Sequence, residues 1–325
     1  MANVQTSYVK KLATRSIVNG TVEGIKLENV AIQGLTFFIA TTGTAEATIA
    51  QVIASLKRIT VSIGGQDDFN ISGNSLYYYN RHMMAGAEVP FQQIGGSEKA
   101  FVSLYLPFEM IKGFKPADTL LDLRPRANGS LIQAFVSMET ATSANVGSTS
   151  EISVYQHYYN YGQYERPVAF RKQMREKQVA VTDGSSAIVT IDYGDDFDDI
   201  ARMMAFIVNS SGVIQATPFE SITLTASEGS TYNLFEFQDT VGYAPIWVPN
   251  KLSPRPSSFT GAFDNVFFYD FTKTNGAGGD SHLSGLLDAS EMSNLSLNVL
   301  PDATGTLIVL LERVNTKIAG DPYAT

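Results

Sequence analysis

Apolar and polar residues alternate with a period of two along most of this chain. Ile59, Val61 and Ile63 are interleaved with Thr60 and Ser62, Ile222, Leu224 and Ala226 with Thr223 and Thr225, and Leu295, Leu297 and Val299 with Ser296 and Asn298. Side chains on a strand point alternately to its two faces, so this pattern sets one face on a core and leaves the other wetter. It predicts about eight strands in the first half, near 22–30, 35–41, 58–64, 75–79, 88–93, 100–106, 118–124 and 130–138. It predicts about eight more in the second, near 186–193, 202–209, 219–227, 231–238, 244–248, 264–271, 293–300 and 305–313. Asn128-Gly129 is a hairpin signal between two such runs, and Pro301 to Gly305 fills the same role with a longer loop. One segment changes period. From Thr44 to Leu56 the apolar residues Ile49, Val52, Ile53 and Leu56 recur at helical spacing, which predicts a helix capped by Thr44. Short helical turns are expected at Phe108 to Phe114 and Leu283 to Ala289.

The pattern also repeats at long range. Arg58 to Gly65 matches Ser221 to Glu228, Val102 to Tyr105 matches Val266 to Tyr269, and Leu121 to Ile132 matches Leu297 to Ile308, at offsets of 163, 164 and 176 residues. The last pair is identical at six of twelve positions. Three matches in one order, each offset by about half of the 325 residues, predict a duplicated β domain with Ile59 over Ile222 and Leu131 over Leu307. Eight antiparallel strands in a domain of this size point to a jelly roll or a similar sandwich. The expected organisation is an arm over 1–21, a first domain over 22–140, a linker over 141–178, a second domain over 179–314 and a tail over 315–325.

Composition narrows the function. Charged residues make up 17% of the chain while Tyr and Phe number 15 and 19, which suits a surface that ends largely in protein contacts. The net charge of −9 argues against broad nucleic-acid binding, so no direct nucleic-acid partner is expected. The chain has no cysteine, which removes thiol catalysis, disulfides and cysteine-ligated metals. Residues 1–24 contain no apolar run of seven, so no signal peptide is expected. The longest apolar run, Met203 to Val208, is far short of a membrane helix.

Candidate chemistry is sparse. The histidines, His82, His157 and His282, stand apart without metal-ligand spacing. Gly279-Asp280-Ser281-His282 superficially resembles a hydrolase motif but lies in an all-β context near the end of the chain. Glycine-rich phosphate loops are missing. No enzyme activity and no cofactor are expected. Asp195, Asp196, Asp198 and Asp199 are calcium candidates, because oxygen-rich loops bind that ion, although their spacing is not that of an EF-hand. A solvated acidic loop, or a partner for a neighbour's basic residues, is the reading preferred over calcium. Five tyrosines, Tyr155, Tyr158, Tyr159, Tyr161 and Tyr164, crowd thirteen residues and call for a surface to pack on, which makes them interface candidates. Lys10, Lys11 and Arg15, with no acid nearby, suit a mobile arm lying against anionic lipid.

From Ala100 to Met138 a strand ends in Leu106-Pro107-Phe108, a short helical loop follows, and a leucine-rich strand with Leu120, Leu121 and Leu123 leads through a turn to a last strand. This region resembles the signature of double jelly-roll major capsid proteins of tailless icosahedral viruses, in their compact corticovirus-like or finnlakevirus-like bacteriophage form. Pro107 and Phe108 match the family's Pro-Phe pair, whereas Asp118 and Asp122 depart from its strand, and Asp270-Phe271 stands where the first copy has Leu106-Pro107. The resemblance implies an all-β chain of two tandem eight-stranded jelly rolls with a few short helices. It implies a homotrimer of pseudo-hexagonal outline that tiles a virion shell, is assembled in the host cytoplasm and lies over an internal lipid membrane. Neighbouring trimers and vertex and minor capsid proteins are the partners it implies. The competing readings are a two-domain β-sandwich carbohydrate-binding protein, such as a viral spike, lectin or adhesin, and a cupin-like enzyme, which needs a histidine cluster.

Overall fold

The computed structural model describes residues 7–20, 22–83, 89–93, 99–109, 119–126, 129–159, 170–191, 199–215, 218–228, 230–238, 266–271, 287–288 and 294–315. The chain divides into two compact units, and it passes from one into the other between Arg175 and Glu176.

The first unit contains β1 (Ser7–Ser16), β2 (Val22–Lys26), β3 (Ala31–Thr42), α1 (Ile49–Ala54), β4 (Leu56–Ile63), β5 (Gln66–Ile71), α2 (Gly73–Met83), β6 (Phe91–Gln93), β7 (Lys99–Pro107), β8 (Leu121–Asp122), β9 (Ala134–Thr140) and β10 (Glu151–Tyr159). One sheet runs β1-β10-β3-β7-β6 with β8 on β3, and the other runs β2-β9-β4-β5. Each sheet takes one row of apolar side chains out of water. Leu35, Phe37, Ile39, Val102, Leu104, Ile152 and Val154 are buried on the first, and Ile59, Val61, Phe69, Val136 and Met138 on the second. Burial of this kind stabilises by roughly 1.5–3 kcal/mol per large side chain.

The second unit takes in the end of β11 (Arg171–Val181) and then β12 (Ala187–Thr190), β13 (Asp199–Val208), β14 (Phe219–Glu228), β15 (Ser230–Gln238), β16 (Phe267–Asp270), β17 (Leu287–Asp288), β18 (Asn294–Pro301) and β19 (Gly305–Asn315). Its sheets run β11-β19-β13-β16, with β17 on β13, and β12-β18-β14-β15. Ile200, Met203, Ala205, Ile207, Leu307, Val309 and Leu311 of one sheet meet Val189, Ile222, Leu224, Leu295, Leu297 and Val299 of the other in a single core.

Among the described residues, and leaving aside the short β6, β8 and β17, each unit has eight strands that pair in chain order as 1-8-3-6 and 2-7-4-5. That shared order is the jelly roll, and the chain is a double jelly roll. It puts Ile59 and Ile222 on the fourth strand of each unit, and Val102 to Tyr105 and the end of Val266 to Tyr269 on the sixth. The third repeat is corrected. Leu121 to Ile132 precedes the seventh strand of its unit, whereas Leu297 to Ile308 runs from the seventh into the eighth, so Leu131 does not lie over Leu307. The two stretches share turn chemistry, a proline and a glycine between leucines, rather than a place in the fold. Neither turn closes a hairpin. β18 and β19 lie in different sheets, and so do β8 and β9.

Five further expectations change. Residues 7–16 are the first strand of the first sandwich, not a loose arm, and β10 within the supposed linker is its eighth strand, lying between β1 and β3. A register shift between Lys11 and Ala13 breaks the alternation of β1, which is why no strand period shows there. The stretch 75–79 is helical. Ser72 caps α2 by accepting from the Ser75 amide at 3.1 Å, and Leu76, Tyr79 and Met83 fall on one buried face. Helix α1 starts later than expected, at a capping box in which Thr48 accepts from the Gln51 amide and the Gln51 side chain accepts from the Thr48 amide. Leu287–Asp288, expected to be helical, pairs with β13 instead. The strand expected near 244–248, and the helical turn beyond residue 109, lie outside the described residues.

Candidate assembly surface

The outward row of the first sheet is built from four strands. On β10, Ile152, Val154 and Gln156 point to the core, so Tyr155 and His157 point away from it. Register then sets Lys11 of β1 beside Tyr155, and Val9 beside His157. On the other side, Thr36 lies opposite Tyr155 and Gly34 opposite His157. The next strand brings Tyr105 opposite Thr36 and Ser103 opposite Phe38.

These residues form a connected face. The Lys11 ammonium lies 5.9 Å above the Tyr155 ring. His157 Nε2 and Thr36 Oγ1 are 2.7 Å apart, and the His157 ring meets the Tyr105 ring edge-on at 5.4 Å. Phe38 stacks on Phe101 at 5.7 Å. Tyr105 lies across Gly34, where an added Cβ would come within 2.6 Å of the ring and of the Leu106 carbonyl. Glycine is therefore required here by close approach. The edge of β7 is held by Asn80 of α2, whose side chain accepts from the Tyr105 amide at 2.7 Å and donates to its carbonyl at 2.6 Å, as a neighbouring strand would.

Electrostatics favour a rigid face. Burial holds the His157 imidazole below its usual range, so it is neutral near pH 7. Burial and the neighbouring Glu109 carboxylate push the Tyr105 hydroxyl up. Glu109 is itself pushed up by burial, against the pull of Gln33, whose amide donates at 2.7 Å, and of Lys172 and Tyr105. Lys172 is 1% exposed and donates to the carbonyls of Pro107 at 3.0 Å and Glu109 at 3.2 Å. Arg171 grips Asp68 with two bonds of 2.7 Å. These contacts anchor the start of β11 where it runs parallel to β5, with Met174 beside Phe69.

Of the interface tyrosines, Tyr155, Tyr158 and Tyr159 lie on β10 and are half-buried, whereas Tyr161 and Tyr164 lie outside the described residues. They do not share one face. Tyr158 stacks on Tyr8 at 5.5 Å, beyond a second register shift, while Tyr155 belongs to the outward row. The basic trio is also divided. Lys10 and Arg15 pair with the inward positions Gln156 and Ile152, and Lys11 pairs with the outward Tyr155. Lys10 is bound to Glu28 at 2.9 Å. Asp199 is buried at the start of β13, and Asp195, Asp196 and Asp198 lie outside the described residues. Among the described residues no group of three or more His, Cys, Asp or Glu is placed to hold a metal. The sequence reading missed Phe38, Phe101 and Tyr105. Each alternates with buried neighbours, and that period was the available signal.

No protein-family model matches the chain, and no curated protein matches it. Solved structures do. The major capsid protein of Sulfolobus turreted icosahedral virus is 15% identical, with a TM-score of 0.65 over 96% of this chain and 97% of that one. The major capsid protein of bacteriophage PM2 is 12% identical, with a TM-score of 0.55 over 95% and 97%. The Faustovirus major capsid protein is 9% identical, with a TM-score of 0.56 over 96% and 90%. At these identities the likeness is one of fold, and it runs through both jelly rolls.

Proposed function

We propose that this chain is a major capsid protein of an icosahedral virus. The observation that carries the reading is the tandem pair of like-ordered jelly rolls. It is supported by the likeness to double jelly-roll capsid proteins over nearly the whole of each chain. Its place is the virion shell, and its first partner is itself. Three copies contribute six similar sandwiches, so a threefold assembly takes a near-sixfold outline that packs in a hexagonal lattice. Trimer contacts, vertex and minor capsid proteins as further partners, assembly in the host cytoplasm and an internal membrane belong to the same proposal. The lipid contact proposed for Lys10, Lys11 and Arg15 rests on their charge alone, at most about 1 kcal/mol per basic residue near an anionic surface, because β1 turns Lys11 to the opposite face from Lys10 and Arg15 and Glu28 already meets Lys10. Light scattering of the purified protein tests the reading, which calls for a three-chain mass. Vesicle flotation tests the lipid part, since Lys10→Ala, Lys11→Ala and Arg15→Ala together should abolish binding at low salt. A single-chain mass overturns the tile, and unchanged flotation overturns the lipid contact.

A further inference from the structure

The two inner strands of one sheet in the second unit carry no alternation. β13 reads Ile-Ala-Arg-Met-Met-Ala-Phe-Ile-Val from Ile200, and β19 reads Leu-Ile-Val-Leu-Leu-Glu-Arg-Val from Leu307. Every position from Asp199 to Val208 is buried, and so is every position from Leu307 to Asn315. A one-residue slip turns all the side chains of a strand to its other face, and alternation normally forbids this by exposing the apolar row. Here the slip would turn Ile308 and Leu310 to the core in place of Leu307, Val309 and Leu311, apolar for apolar. Nor does a hairpin fix the alignment, since β13 ends at Val208 and β19 begins at Gly305.

We propose that Arg202 and Glu312 are the register lock of the second sandwich: the pair selects one alignment of two strands whose pattern leaves it free, and adds little to stability. Arg202 is the one charge between Ile200 and Val208, and Glu312 and Arg313 are the charges from Gly305 to Asn315. Arg202 and Glu312 are direct partners in the ladder, bonded at 2.8 Å with each side chain 1% exposed. A slip one way sets Arg202 against Arg313, a like charge that is also buried. A slip the other way sets Arg202 against Leu311 and parts it from Glu312. Either slip splits an ion pair away from water, which disfavours the slipped alignment by about 100-fold or more. Two apolar residues in their place carry no such penalty in any alignment, so their exchange can spare stability while losing uniqueness. Gly305 keys the same alignment from the far end, because a Cβ there would strike the Val208 carbonyl. Ladder ends open most readily, whereas the ion pair lies inside the ladder. The lock goes beyond the capsid reading and does not depend on it.

The test uses the full chain, which has no cysteine, so an introduced pair reports alignment directly. Ala205 and Val309 are ladder partners, and Ile308 and Leu310 lie one step to either side of Val309. Cysteines at partner positions are within reach of a disulfide, while those one step away point to the opposite face. Ala205→Cys is combined in turn with Val309→Cys, Ile308→Cys and Leu310→Cys, and each protein is oxidised and read by non-reducing electrophoresis and peptide mass spectrometry. With Arg202 and Glu312 in place, the Val309→Cys combination alone should close. With Arg202→Met and Glu312→Leu added, a shifted combination should close as well, its yield raised by about 100-fold, while circular dichroism keeps its β signal. Arg202→Lys, which keeps the charge, should close the Val309→Cys combination alone. Closure of that combination alone in the apolar variant overturns the lock. Loss of the β signal in that variant also overturns it, since the pair would then hold the fold rather than its alignment. A shifted disulfide with Arg202 and Glu312 intact, or in Arg202→Lys, shows that their charges do not set the register.

Discussion

Replacing Leu307 by alanine removes a side chain that is 0% exposed and set among Ile207, Val309 and the facing Ile222 and Leu297. Leu307 pairs with Ile207, and ladders on both sheets fix the backbone around it, so the site cannot close over the void. Leucine-to-alanine changes in such cores destabilise by about 2–5 kcal/mol. Leu131, its partner in the sequence repeat, is 49% exposed before β9 and makes no comparable core contact. Its replacement should stay below about 1 kcal/mol. With a urea dependence of about 2 kcal/mol per molar, Leu307→Ala lowers the midpoint of the second unit by roughly 1–2.5 M, and Leu131→Ala lowers that of the first by less than about 0.5 M. Two units need not unfold together, so the assay is hydrogen exchange across a urea series, read on peptides from each unit. Equal shifts for the two variants would restore the equivalence that the fold denies and refute the strand assignment.

Glu312→Gln removes the charge that Arg202 meets at 2.8 Å, with both side chains 1% exposed. It should destabilise by about 3–5 kcal/mol, whereas Arg202→Met with Glu312→Leu should be nearly neutral, and thermal melting distinguishes the two. Burial pushes the Asp68 carboxyl up to about 6, against the pull of Arg171. A carboxyl whose folded value exceeds its unfolded one takes up a proton in the native state first, so this contribution is full below about pH 4 and is lost as pH rises through about 6. Wild type should therefore gain on Asp68→Asn by up to about 3 kcal/mol between pH 7.5 and 4, and parallel urea midpoints across that range would contradict this. Gly34→Ala forces Cβ against the Leu106 carbonyl and the Tyr105 ring and should destabilise by about 1–3 kcal/mol, measured by calorimetry.

The strands with unbroken alternation were legible in the sequence. Ile59-Val61-Ile63 and Ile222-Leu224-Ala226 lie in β4 and β14 because each buries one row and wets the other. β1 was not legible, since its shifted register and its outward Val9 and Lys11 erase the period. β10 was hidden for a different reason. Its core row of Ile152, Val154 and Gln156 ends in a polar residue, satisfied in part by the Glu28 amide, and its tyrosines drew attention to the other face. Tyr77, Tyr78 and Tyr79 favour strands by intrinsic preference, yet packing of α2 on α1, β4 and β7 makes them helical. The interface candidates were half legible. Tyrosine density pointed to β10, but only strand pairing shows that Tyr155 belongs with Phe38, Phe101 and Tyr105 on other strands.

Negative-stain electron microscopy of the purified full chain tests the central claim most directly. Two jelly rolls per chain in a closed ring of three predict particles of one size with a six-lobed, near-hexagonal outline and threefold averages. Particles of two lobes, one per jelly roll, that never assemble further would contradict the account.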